Sequence, residues 1–228
     1  MNTCMRLALL ALCLGTWNLA HADDLTPPPW QRGGPLTTSA EWDFLQGSPI
    51  TPPDGNSVPT VIGDGSGPGA VPTATAGPGL NWIPFDGTGG WIGPGDMIFD
   101  IPNWIDKEPL KLVWIQMTYQ ENPATGFPGV TSIVATDPLP TSVAFLGLTD
   151  IPFPGSTVPG LRYRLERWEI RPNPDFERIV VTLPADSVLS QVVIDTISVP
   201  EPSSLALASV ALALAGVGAW RRRVAQRA

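Results

Sequence analysis

Hydrophobic and polar residues alternate with a period of two along much of the second half of the chain, which is the pattern of β-strands. The strongest signal covers residues 110–120. Its side chains divide into two faces, Val113, Ile115, Met117 and Tyr119 on one and Leu112, Trp114, Gln116 and Thr118 on the other. Because both faces include apolar side chains, this segment is predicted to be an interior strand.

Seven further segments have strand patterns, and turns rich in Gly, Pro and Asp separate them. They cover residues 40–46, 97–101, 130–136, 141–148, 161–171, 176–183 and 188–198. Within 161–171 the apolar positions change from odd to even numbers, which predicts a bulge near Glu166–Arg167. We expect Leu161, Tyr163 and Leu165, then Trp168 and Ile170, to face inward, and Arg162, Arg164 and Glu166 to face outward. No helical period is convincing, so residues 23–198 are predicted to form one all-β domain, a jelly-roll-like β-sandwich.

Residues 47–95 are unusual because 22 of the 49 are Gly or Pro. They have no fixed period, which argues against a collagen-like or solenoid structure. We expect long surface loops around one or two short strands. Trp82, Phe85 and Trp91 are expected to pin these loops to the core.

Residues 1–22 have the three parts of a secretory signal peptide. Arg6 supplies the positive charge, residues 7–14 are apolar, and Ala20-His21-Ala22 is a cleavage site of the A-x-A kind. Signal peptidase is therefore an expected partner, and Asp23 is the expected first residue of the mature chain.

Removal of residues 1–22 would also remove Cys4, Cys13 and His21, after which the chain contains neither cysteine nor histidine. That excludes catalytic triads with His, thiolate or imidazole metal sites, and disulfide bonds. Chemistry based on carboxylates and calcium binding through oxygen ligands stay possible. No cofactor is expected.

Residues 23–200 hold 20 acidic and 8 basic side chains, a net charge of −12. Nucleic acid is not an expected partner, because contacts to phosphates need a basic surface. The same segment is long enough for one domain with its own core and contains seven tryptophans. This composition is typical of an extracellular β protein.

Residues 205–220 are 16 uncharged residues, followed by Arg221, Arg222 and Arg223. As a helix they would span about 24 Å, slightly less than the hydrocarbon core of a bilayer. The arginines predict a transmembrane helix in the inner membrane with its C-terminal end in the cytoplasm. The alternative is a buried helix at the end of the domain.

The order of features in the tail resembles a known sorting signal. Val199-Pro200-Glu201-Pro202 precedes the apolar segment, and the arginine cluster follows it. This arrangement is similar to the PEP-CTERM tail of exosortase substrates. Exosortase is a membrane-embedded cysteine transpeptidase of Gram-negative bacteria that make exopolysaccharide. The resemblance implies secretion across the inner membrane, anchoring of residues 199–228 by the helix, and cleavage near Pro200-Glu201-Pro202. The body would then reach the cell surface or the medium.

Exposed aromatic rings could bind a glycan, since Trp faces stack on sugar rings while amides bond to hydroxyls. Trp114 and Gln116 share one face of segment 110–120, and Trp82 and Trp91 could contribute. The alternative is that these tryptophans belong to the core.

Two further candidate sites depend on carboxylates. Asp54, Asp64 and Asp86 each precede a glycine, which suits low-affinity calcium loops but equally suits ordinary turns. Glu166 or Glu169 could pair with Asp195 for glycoside hydrolysis. The alternative is that these glutamates pair with neighbouring arginines.

We therefore expect a non-enzymatic secreted or cell-surface protein that acts as a structural or binding component of the polysaccharide matrix. A carbohydrate-binding module is the first alternative. A hydrolase that depends on carboxylates or metal is the second.

Overall fold

The computed structural model describes residues 25–55, 71–104, 106–136 and 138–200, which form twelve β-strands and no helix. The strands are β1 (Thr37–Trp42), β2 (Ile50–Thr51), β3 (Thr73–Ala76), β4 (Asn81–Phe85), β5 (Thr88–Ile92), β6 (Gly95–Pro102), β7 (Leu110–Gln120), β8 (Gly129–Thr136), β9 (Ser142–Pro152), β10 (Leu161–Arg171), β11 (Phe176–Leu183) and β12 (Val188–Val199). The all-β prediction is confirmed.

The strands form two antiparallel sheets. The seven-stranded sheet has the order β4-β5-β12-β7-β10-β9, and β1 also pairs with β12. The five-stranded sheet has the order β2-β3-β6-β11-β8. β12 is central, because β7 pairs with one of its edges along its whole length while β5 and β1 share the other.

The core lies between the two sheets. The face of β7 that carries Val113, Ile115, Met117 and Tyr119 is buried there, as the sequence predicted. Trp42 of β1 meets Phe99 of β6 edge-to-face, with ring centroids 4.9 Å apart, and its indole N–H donates to the Thr51 carbonyl. Burial of each such large side chain contributes about 1.5–3 kcal/mol of transfer free energy.

The outer face of the seven-stranded sheet is also covered, by the segment that precedes β1. Trp30 packs edge-to-face on Trp114, and Arg32 forms a bidentate ion pair with Asp195 at 2.6 and 2.5 Å. Asp195 is fully buried. The seven-stranded sheet thus has a second, polar layer on the face opposite the core.

The predicted switch of faces in 161–171 is wrong. Tyr163 and Leu165 pair in register with Thr118 and Gln116, so they lie on the outer face, where both are buried. Residues with even numbers face between the sheets throughout β10: they are Arg162, Arg164, Glu166, Trp168 and Ile170. Both faces of β10 are partly buried, which is why the apolar pattern misled the assignment.

A register irregularity does occur where the bulge was predicted, but the extra residue is on the neighbouring strand. β10 pairs with β7 without interruption. On its other edge the register with β9 shifts between Arg167 and Trp168, where Gly147 and Phe145 are the partners. Leu146 of β9 is therefore the additional residue.

Segment 47–95 contains more strand than predicted. Its described residues include β2, β3, β4 and β5 rather than one or two short strands. β4 and β5 form a hairpin around Asp86-Gly87, with φ of 44° and 84°. Positive φ at both central residues is the type I′ geometry that Asp-Gly favours.

The first strand also lies earlier than predicted, at Thr37–Trp42 instead of 40–46. It ends because Phe44 adopts a φ of 51°. The Asp54 carboxylate accepts the backbone N–H groups of Asp43, Phe44 and Leu45 at 2.8–3.2 Å, which holds the chain in this turn.

The later strands agree closely with their predictions. Segments 110–120, 161–171 and 176–183 coincide with β7, β10 and β11, and the others differ by one to four residues at an end. The predicted signal peptide (1–22) and transmembrane helix (205–220) lie outside the described residues. The described residues contain no helix that could span a bilayer.

Replacement of Arg32 by alanine should destabilise the domain strongly. Asp195 would lose the guanidinium that compensates its burial, and breaking a buried pair in this way typically costs about 3–5 kcal/mol. Equilibrium urea denaturation of the purified domain measures the change. The matched control is Arg178→Ala, which removes a bidentate pair with Asp100 on the exposed surface of the other sheet. That change should cost about 0–1 kcal/mol. Equal losses for the two variants would contradict the importance of burial.

Candidate functional site

A pocket of about 360 Å³ opens on the outer face of the seven-stranded sheet. The start of β12, the end of β7, the β4–β5 turn and the loop after β9 enclose it. Its polar wall consists of Asp43, Asp86, Thr88, Thr118, Ser190 and Gln191, and residues 153–157 with Leu161 form the other side.

Gln191 organises the floor of this pocket. A register shift between Leu189 and Gln191 in the pairing of β12 with β7 places Gln191 opposite Thr118. Its amide nitrogen donates to Glu41 at 2.9 Å and to Asp43 at 2.8 Å, and its amide oxygen accepts from Thr118 at 3.3 Å. One amide therefore holds two nearly buried carboxylates beside the pocket.

The rim is more exposed than the floor. Asp86 belongs to the tight β4–β5 turn, and Thr88 begins β5. Thr157 is exposed on the opposite side, in the loop after β9. Together with the floor, these residues present hydroxyl, amide and carboxylate groups to one small cavity. This combination suits a ligand rich in hydroxyl groups.

None of the four residues predicted to bind glycan lines this pocket. Gln116 is buried between Asp195 and the Tyr163 hydroxyl, which donates to its amide oxygen at 2.6 Å. Trp114 is half-buried against Trp30. Trp82 and Trp91 are cross-strand partners in the β4–β5 hairpin, so the structure does not bring all four together.

Trp91 is buried in the core, whereas Trp82 is half-buried and donates its indole N–H to the Phe44 carbonyl at 2.9 Å. The expectation that both pin the loops to the core agrees with these contacts. The pocket was missed because its walls come from several segments that are distant in the sequence. Only the Asp86-Gly87-Thr88 turn carried a recognisable signal.

The three aspartates considered for calcium are not grouped. Asp54 stabilises the turn after β1 through its three backbone contacts, and Asp86 lies at the pocket rim. Asp64 lies outside the described residues. Where the structure describes the chain, no group of three or more His, Cys, Asp or Glu side chains could hold a metal ion.

The carboxylates considered for hydrolysis each contact an arginine. Glu166 pairs with Arg164 at 2.7 Å, Glu169 with Arg171 at 2.6 Å, and Asp195 with Arg32. Glu166 pairs in register with Ile115, and Asp195 pairs with Trp114. Because Trp114 and Ile115 are adjacent residues of β7, the two carboxylates lie on opposite faces of the seven-stranded sheet.

A second polar cluster lies between the sheets at the far end of the core. Lys111 of β7 and Glu177 of β11 are almost completely buried and face each other, with Nζ 4.0 Å from Oε2. Asn103, just after β6, is buried beside them and donates its amide N–H to Glu177 Oε2. Lys111 and Asn103 also both donate to the Pro174 carbonyl, at 3.4 and 3.5 Å.

Burial shifts both ionisable groups of this cluster toward their neutral forms. Desolvation lowers the pKa of Lys111 to about 8, although Glu177, Asp106 and Asp175 oppose that shift. Desolvation also raises the pKa of Glu177 to about 7, against the attraction of Lys111. Among the described residues, the Glu177 Oε1 atom has no hydrogen-bond partner.

Sequence reasoning overlooked this cluster, although a signal existed. The chain has only two lysines, and Lys111 has the same parity as Val113 and Ile115 on an interior strand. Alternate residues of a strand share one face, so this spacing already predicted a lysine on the buried face.

Two comparisons with known proteins gave no match, since neither a curated protein nor a solved structure resembles the chain significantly. Residues 198–223 match the family described as the PEP-CTERM protein-sorting motif. This match confirms the resemblance seen in the tail. β12 ends at Val199, so the motif begins where the central strand of the domain ends. The chain carries a PEP-CTERM sorting motif, which implies an extracellular protein that exosortase sorts to the cell surface.

Proposed function

We propose that this protein is a non-enzymatic component of the extracellular polysaccharide matrix and binds neutral polysaccharide in the outer-face pocket. The observation that carries the proposal is the pocket itself, whose lining combines three threonines, two serines, a glutamine and two aspartates. Such groups satisfy sugar hydroxyls as both donors and acceptors.

The charge of the domain restricts the ligand class. Residues 23–200 have a net charge of −12, and Asp43 and Asp86 face the pocket. An anionic polysaccharide would be repelled unless divalent cations bridged it. A neutral chain meets no such barrier, so we expect hydroxyl recognition rather than charge to determine affinity.

The alternative is a carbohydrate-binding surface built from tryptophan. Trp114 supports it, because it is half-buried rather than fully buried and lies on the same outer face as the pocket. Binding there would centre on Trp114 and Trp30 instead of Gln191. The three carboxylates considered for hydrolysis each contact an arginine, which does not favour the hydrolase.

We also propose that the sandwich is a variant of the jelly roll. The chain changes sheet at each connection from β5 to β9 and again from β10 to β12. β9 departs from that alternation, because it pairs with β10 in the seven-stranded sheet.

For the route, we propose cleavage by signal peptidase after Ala22, transient anchoring in the inner membrane through residues 205–220, and release by cleavage near Pro200-Glu201-Pro202. The position of the motif directly after Val199 supports this order. Cleavage beyond β12 would leave every described strand in the released domain.

Asp86→Ala and Thr88→Ala should each weaken binding of the producing cell's neutral exopolysaccharide about fivefold. Loss of one rim hydrogen bond costs about 1 kcal/mol, because the exposed partner regains water. Isothermal titration with the purified domain measures the effect, and Thr131→Ala on the five-stranded sheet is the control. If Trp114→Ala abolishes binding while both rim variants retain it, the tryptophan surface is the site instead.

Replacement of Pro200-Glu201-Pro202 by three alanines should prevent processing at the tail. The recognition motif would be lost, while the apolar segment and arginines that hold the chain in the membrane remain. Fractionation and the apparent mass of the protein report the result. Ser203→Ala serves as a nearby control that should process normally. Normal release of the triple-alanine variant would refute a role of these residues in sorting.

A further inference from the structure

The buried cluster places an amine beside a carboxamide and a carboxylic acid. Lys111 Nζ and Asn103 Nδ2 lie against the same two oxygens, Glu177 Oε2 and the Pro174 carbonyl. All three residues are at least 99% buried, so they are removed from bulk solvent. Lys111 belongs to one sheet and Glu177 to the other, and Asn103 follows β6 of the five-stranded sheet.

We propose that Lys111 and Asn103 form an intramolecular isopeptide bond, with Glu177 as the acid–base catalyst. The bond would join Lys111 Nζ to Asn103 Cγ and release the side-chain nitrogen of Asn103 as ammonia. This modification is independent of the outer-face pocket, which lies on the other side of the seven-stranded sheet.

The reaction needs no reagent beyond the three side chains. The neutral amine of Lys111 attacks the carbonyl carbon of Asn103, and Glu177, in its protonated form, donates a proton to the departing Nδ2. The Nζ–Cγ bond forms first and places negative charge on Oδ1. Collapse of this tetrahedral intermediate then breaks the Cγ–Nδ2 bond, and Glu177 recovers a proton from Nζ. One amine and one primary amide become one secondary amide and one ammonia, so atoms and charge balance.

The surroundings match the requirements of each step. Thr196 donates its hydroxyl to Asn103 Oδ1 at 3.3 Å, where negative charge develops during attack. Burial depresses the pKa of Lys111 and raises that of Glu177, which favours the neutral amine and the protonated acid. An exposed lysine would be protonated and unreactive at neutral pH.

The bond also resolves an energetic problem of the core. A buried ammonium and a buried carboxylate 4.0 Å apart recover little of the solvation that they lose. Conversion to an amide removes the lysine charge and leaves Glu177 as a neutral acid. The bond would also link β7 of one sheet covalently to the residue that follows β6 of the other. After removal of residues 1–22 the chain has no cysteine, so a disulfide could not provide such a link.

Peptide mass spectrometry of the folded, secreted protein tests the proposal directly. Trypsin cleaves after Arg32, Lys107, Lys111 and Arg162, but it does not cleave after an acylated lysine. We expect a branched species in which residues 33–107 are joined to residues 108–162. Its mass should be one ammonia lower than the summed masses of these two peptides. Neither the signal peptide nor the tail contributes to these fragments, so processing at the ends does not affect the result.

The two lysines provide a matched pair of variants. Lys107→Arg, at an exposed position, should retain the joined peptides, whereas Lys111→Arg should lose them. Glu177→Gln should reduce the joined fraction at least tenfold while circular dichroism still shows a folded β protein. Unjoined wild-type peptides 33–107 and 112–162, recovered from protein that is folded, would overturn the proposal. Undiminished joining in a folded Glu177→Gln variant would overturn the catalytic role of Glu177.

Discussion

The bidentate ion pair between Arg32 and Asp195 is the interaction on which the architecture of the outer face depends. Asp195 lies on the central strand and is fully buried, so its carboxylate would be very costly without a fixed cation. Arg32 supplies that cation from the segment before β1 and thereby holds the segment across the sheet. Trp30 then covers Trp114, and the seven-stranded sheet is protected on both faces.

Two glutamines connect the polar groups of this face across neighbouring strands. Gln116 connects Asp195 to Tyr163, and Gln191 connects Glu41 and Asp43 to Thr118. Buried polar networks rigidify a structure only when their members are satisfied. The pocket lies where this network reaches the surface, so its floor is preorganised while its rim is exposed to solvent.

The sequence predicted the all-β class and the interior strand β7 because alternation on a two-sided strand is a local property. It predicted both faces of β7 correctly, yet it reversed the charged residues of β10. There, Tyr163 and Leu165 are buried on the outer face, which a segment more than a hundred residues earlier in the chain helps to cover, and no local pattern reveals such a cover. The Asp86-Gly87 turn could have been recognised as a hairpin from its composition alone. The pocket could not, because strand order determines which loops meet.

The position of the sorting motif has a mechanical consequence. Val199 continues into the motif without an intervening linker, and it ends a strand whose hydrogen bonds to β7 extend over its entire length. A force applied through the tail therefore acts along β12 and shears its ladders with β7 and β1, so that many hydrogen bonds must break together. Had the tail continued from an edge strand, the same force could have peeled the sheet apart one bond at a time. Until the tail is cleaved, the proposed anchor would thus hold the domain through a strand that resists extraction.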